Sequence, residues 1–124
     1  MKPQKIIEKI IKELDLRKPQ EHSLTKLDAL MSAFKIGDDP KDIEAKLTGN
    51  LKFDTNFPSF TFNLATGVGK TRLMGAMIAY LYYTKGLKDF FILTPGETIY
   101  TKTIDNFTSG SKKYVMQGLT DFPV

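Results

Sequence analysis

The chain has 124 residues, enough for about one domain, and its mixture of 41% hydrophobic and 26% charged residues is that of a globular protein. It has no cysteine and one histidine, His22, which excludes disulfides, thiolate metal sites and most histidine-based metal centres. A net charge of +4 permits contact with nucleic acid without arguing for it, and no apolar run approaches the ~20 residues that span a bilayer.

From the N-terminus, residues 3–16 predict an amphipathic helix. Ile6, Ile7, Ile10, Ile11 and Leu14 recur at helical spacing, with Lys5, Glu8, Lys9, Lys12 and Glu13 on the other face. Charges threaded through the apolar positions exclude a signal peptide. A second helical pattern follows with Leu24, Leu27, Met31 and Phe34, Pro19 in its first turn and Gly37 just beyond its end. Asp38, Asp39 and Pro40 open a short third helix with Ile43 and Leu47 inward, ended by Gly49 and Asn50. Phe53, Phe57 and Phe60 alternate through a loop-like stretch and are expected to anchor it to the core.

Residues 61–71, TFNLATGVGKT, then read as a short apolar strand, a tight glycine loop and the first turn of a helix. Gly67, Gly69, Lys70 and Thr71 supply the GxGK(S/T) core of a phosphate-binding loop. Glycines let the backbone approach phosphates closely, and the helix start turns free N–H groups and a positive dipole end towards the anion. The Lys70 ammonium suits the β- and γ-phosphates, and the Thr71 hydroxyl suits Mg²⁺. The candidate nucleotide contacts are therefore Thr66, Gly67, Val68, Gly69, Lys70, Thr71 and Arg72. The full GxxxxGK(S/T) form requires a glycine where this chain has Leu64.

Residues 70–83 predict a helix that is apolar nearly all round, closed by Gly86. The run DFFIL, residues 89–93, fits a buried parallel strand, so strand, helix and strand would form a right-handed βαβ unit. Thr94 and Glu97 have the spacing of a capping box, with Pro95 at the first helical position and Tyr100, Ile104 and Phe107 on one face. Tyr114 to Met116 is a candidate third strand. The expected fold class is thus α/β: a helical segment over residues 1–50, then residues 51–124 as the start of a RecA-like P-loop parallel sheet.

Three segments together resemble the opening of a superfamily-two, DEAD/DEAH-like helicase motor, and most of all the restriction (Res) subunit of type III restriction-modification enzymes. Residues 16–20, LRKPQ, resemble the segment whose glutamine reads adenine in that family. Residues 65–71, ATGVGKT, resemble its motif I, A-x-x-G-x-G-K-T, and residues 91–107 resemble motif Ia. The resemblance implies ATP and Mg²⁺ as cofactors, Gln20 as the adenine contact, and Thr94, Pro95, Gly96, Thr98 and Lys102 as contacts to double-stranded DNA. It further implies a cytoplasmic protein with a methyltransferase partner subunit. No DExH or DExD box occurs, so the magnesium-ligating carboxylate pair is missing. The expectation is the N-terminal part of a larger ATPase, truncated before Walker B, which binds nucleotide without hydrolysing it. The alternatives are a nucleotide- or DNA-binding module that never hydrolyses, or another P-loop NTPase such as a small kinase.

Overall fold

The computed structural model describes residues 2–47, 53, 56–65, 67 and 69–119. Five helices appear in order: α1 (Pro3–Glu13), α2 (Lys18–Ser32), α3 (Pro40–Lys46), α4 (Lys70–Lys85) and α5 (Glu97–Phe107).

Helix α1 stops short of the expected residue 16. Asp15 takes a left-handed conformation (φ 51°), its N–H donates to the Lys12 carbonyl, and the Leu16 N–H donates back to Ile11. This six-to-one and five-to-two pattern closes the helix and folds Leu14 and Leu16 into the core. Aspartate is one of the few residues besides glycine that adopts this backbone at low cost. The short α3 starts as expected: the Asp39 carboxylate accepts from the Lys41 N–H, Pro40 occupies the first turn, and Ile43 and Leu47 point inward. Its expected end at Gly49 and Asn50 lies outside the described residues.

Helix α4 is the central element, touching α1, α2 and α5. The Leu14 carbonyl, just past α1, receives Arg72 from the start of α4, and the Lys9 ammonium, further back along α1, lies 5.2 Å from the ring centre of Tyr83 near the end of α4, so α1 and α4 run antiparallel. Gln20, Asp28 and Met31 on α2 meet Gly69, Tyr80 and Lys85 in that order, so α2 and α4 run parallel. The most deeply buried face of α4 is not its large aliphatic residues but Gly75, Ala76 and Ala79 with Leu73 and Tyr80. Small side chains there let neighbouring backbones approach closely. Met77, Ile78 and Leu81 pack half-buried around this seam. Gly86, left-handed at φ 68°, ends the helix with its N–H on the Tyr82 carbonyl.

The expected parallel sheet is absent: among the described residues there is no strand. Residues 61–65 form no regular element; Phe62 and Leu64 are half-buried and Thr61 and Asn63 exposed, the alternation of a strand, but they pair with nothing as a ladder. Residues 89–93 likewise form no regular element and no ladder, and Phe91 (86% exposed) and Leu93 (81%) face solvent rather than a core. Tyr114 to Met116 forms turns, fixed by the Val115 N–H on the Asn106 carbonyl and the Tyr114 N–H on Ser111. The α/β class, the RecA-like sheet and the βαβ unit are therefore replaced by a helical fold. The physical reason is that an apolar run specifies extended backbone but not a ladder partner.

The capping box at Thr94 is also overturned. Helix α5 starts two residues after Pro95 with Gly96 as its N-cap at φ 73°, and no side chain caps it. Thr94 Oγ1 is instead buried without a hydrogen-bond partner. The phenylalanine anchors are partly as expected. Phe60 stacks on Phe34 at 6.3 Å and meets Phe53 edge-on at 5.6 Å, whereas Phe57 is exposed.

Candidate functional site

The site is assembled where the start of α4 meets the corner between α1 and α2. Gly69 is the N-cap of α4, left-handed at φ 83° and ψ 54°, and no side chain caps the helix. The Gly69 carbonyl accepts the first helical bond, from Leu73 at 3.1 Å, and the N–H groups of the first turn have no partner within the helix. Gly67 is also left-handed, at φ 86°. Both glycines take a left-handed backbone that residues with a Cβ resist.

Two side chains from the start of α2 hold this loop. The Gln20 Nε2 donates to the Gly69 carbonyl at 2.9 Å, and its Oε1 accepts from the Arg17 N–H at 2.8 Å. Gln20 is only 1% exposed, so its amide serves as an internal strut. The Arg17 guanidinium reaches the Gly67 carbonyl at 3.4 Å. A methyl group in place of the Gly69 hydrogen would run into the Gln20 amide nitrogen, so the glycine is required by the strut as well as by its φ.

Lys70 is exposed and Thr71 half-buried. Thr71 lines a cleft of about 550 Å³ together with Gly69, Arg17 and Arg72. The opposite wall is the turn at residues 112–118, which carries Lys112 and Lys113. The exposed Arg72 also lines the cleft, and its guanidinium donates to the Leu14 carbonyl at 2.6 Å. Tyr114, also in the wall, has its phenol pKa raised by burial, so its hydroxyl stays protonated at neutral pH. Of the residues singled out from sequence, Gln20, Gly69, Lys70, Thr71 and Arg72 come together here with Gly67. Thr66 and Val68 lie outside the described residues. Thr94, Pro95, Gly96, Thr98 and Lys102 sit at and beyond the start of α5, and none of them lines this cleft.

Sequence reasoning did not find the roles of Arg17, Lys112 and Lys113 at this cleft. Arg17 stands three residues before Gln20, a spacing that only a helix start makes meaningful. Lys112 and Lys113 are adjacent in the sequence, but their place in the same cleft as Gly69 depends on how the chain folds back.

Comparison with known families matches residues 13–121 to the family described as "Type III restriction enzyme, res subunit". The chain belongs to that family. Among curated proteins it is similar to the "Probable type III restriction-modification enzyme HindVIP Res subunit" of Haemophilus influenzae, with 38% identity over 69 residues. That alignment covers 51% of this chain and 13% of the relative's length. No solved structure matches the chain. No helix among the described residues is long and apolar enough to cross a membrane.

Proposed function

We propose that this chain is the ATP-binding N-terminal part of an ATP-dependent DNA translocase or helicase, the Res subunit of a type III restriction enzyme. The observation that carries the reading is the GVGKT loop at the uncapped start of α4, tied from behind by Gln20 and opening on a cation-lined cleft. The loop amides, the Lys70 ammonium and the dipole of a 16-residue helix all favour a phosphate chain at that position.

The residues present fit ATP and Mg²⁺. The Thr71 hydroxyl lines the cleft with no hydrogen-bond partner among the described residues, which leaves its oxygen for a cation. Bound Mg²⁺ supplies charge neutralisation of the phosphates. Lys70 and Arg72 hold the anion, with Gly67, Gly69 and the loop positions Thr66 and Val68 contributing backbone. Gln20 shapes the loop from inside, and its amide reads adenine only after releasing the Gly69 carbonyl. Thr94, Pro95, Gly96, Thr98 and Lys102 are assigned to the DNA backbone, and a methyltransferase subunit in the cytoplasm is the assigned protein partner.

The sequence holds no DExH or DExD box, so the chain binds nucleotide without turning it over. The test is titration with a fluorescent ATP analogue plus Mg²⁺, paired with a phosphate-release assay. Saturable binding abolished by Lys70→Ala, with no phosphate release, supports the reading. Failure to bind overturns it, and Lys70-dependent turnover overturns its non-hydrolytic part. Binding without turnover also suits the rival reading of a nucleotide-sensing module, which translocation by the complete subunit would exclude.

A further inference from the structure

Four cationic residues line the cleft beside the glycine loop: Arg17 and Arg72, and Lys112 and Lys113 from the turn at residues 112–118. Glu13 is the carboxylate in its lining, and none of the four cations is ion-paired among the described residues. The hydrogen bonds from Arg17 and Arg72 go to neutral carbonyls, so their charge is uncompensated. Like charges gathered round one cavity repel, and an anion between them relieves that repulsion. The cavity, about 550 Å³, has the size of a small-molecule site.

The lysine turn is built rather than loose. The Gln117 side-chain amide donates to the Ser111 and Lys112 carbonyls at 3.0 and 2.9 Å. The Val115 N–H is held by the Asn106 carbonyl at 2.9 Å. Met116 and Leu119 are buried, and Gly118 sits so tightly on the Glu13 carbonyl that a Cβ has no room. Two flexible side chains thus project from an anchored backbone.

We infer that Lys112 and Lys113 form a second phosphate subsite, which takes the distal end of a nucleoside triphosphate whose inner phosphates lie on the glycine loop. Gly69 and Thr71 belong to both the loop and the cleft, so an anion seated on the loop continues into it. The inference rests on the proposed nucleotide binding and adds a discrimination: the turn senses the length of the phosphate chain. A triphosphate reaches the lysines, and a diphosphate falls short.

The experiment measures the affinity of the full chain for Mg-ATP and Mg-ADP by competition with the fluorescent analogue. The variants are Lys112→Ala/Lys113→Ala, Lys112→Arg/Lys113→Arg and Lys70→Ala. Charge-assisted hydrogen bonds of ordinary strength predict about a tenfold or greater loss of ATP affinity in the double alanine variant, a much smaller loss for ADP, and retention in the double arginine variant. Both lysines are exposed, so thermal melting should be unchanged. If ATP affinity is unchanged by the double alanine substitution while Lys70→Ala abolishes it, the subsite is wrong and nucleotide binding stands. Equal losses for ATP and ADP overturn the length discrimination. If the double variant weakens binding of a duplex oligonucleotide but not of ATP, the turn belongs to a nucleic-acid surface and the subsite is overturned. If the unaltered chain binds neither nucleotide, both the subsite and the proposed function fall.

Discussion

The Gln20 side-chain amide donates to the Gly69 carbonyl at 2.9 Å across 49 residues of sequence, and this bond fixes the glycine loop to the start of α2. Truncating Gln20 leaves the Gly69 carbonyl with the Leu73 bond alone and the Arg17 N–H without its side-chain partner. Gln20→Ala is expected to cost about 1–3 kcal/mol of stability, the loss of two hydrogen bonds of ordinary strength. Urea denaturation measures it. A loss below a few tenths of a kcal/mol would show that the strut does not hold in solution.

Gly69 has two reasons to lack a side chain, its φ of 83° and the Gln20 nitrogen behind it. Gly69→Ala should therefore destabilise by about 1–2 kcal/mol from backbone conformation alone, with the clash in addition. The two causes separate in a double-mutant cycle. In the Gln20→Ala background the Gly69→Ala cost should shrink, because the obstructing amide is gone.

Tyr80 is 1% exposed and its hydroxyl donates to the Asp28 carboxylate at 2.6 Å. Burial, then the hydrogen bond and the negative charge of Asp28, push its pKa well above the usual phenol value. The folded state thus keeps a proton that the unfolded chain releases above about pH 10. Stability from this group is complete below that pH and falls as pH rises further, towards the folded pKa. Tyr80→Phe should lose about 1.5 kcal/mol at neutral pH, as expected for a bond to a charged acceptor. It should also show a shallower decline in alkali, with the half-buried Tyr114 supplying part of the slope that remains. Denaturation midpoints across pH 8 to 11, roughly the range where an ordinary phenol ionises, test both.

Gly118 lies against the Glu13 carbonyl at the end of α1. Backbone cannot yield as a flexible side chain does, so Gly118→Ala should cost about 1–3 kcal/mol through overpacking. It should also displace the turn that carries Lys112 and Lys113. A melting temperature equal to that of the unaltered chain would mean that the turn is not seated on α1.

Much of the helical half was legible because a period of 3.6 in apolar residues has one structural meaning. The Ile6, Ile7 and Ile10 face and the Asp39–Pro40 start of α3 both appear where the spacing puts them. The sheet was misread because Phe90, Phe91, Ile92 and Leu93 carry only a preference for extended backbone. Pairing is a property of two segments, and the residues expected to supply the second one are in no ladder. The glycine loop was legible from residue types alone, since Gly69, Lys70 and Thr71 are local. Its strut and its opposite wall were not, because Gln20 and Lys112 are dozens of residues away and reach it only through the packing of α1 and α2 on α4.

Three ties join α2 and α4 at successive heights: Gln20 to Gly69, Asp28 to Tyr80 and Met31 to Lys85. Sliding one helix along the other by a single turn, about 5.4 Å, would break all three at once. Splaying the helices apart at the loop end breaks only the first. The softest motion of this pair is therefore a wedge-like opening with its pivot near Lys85. Amide exchange along α4 should then slow from its first turn towards Gly86, a gradient that a uniformly rigid or uniformly fraying helix would not produce.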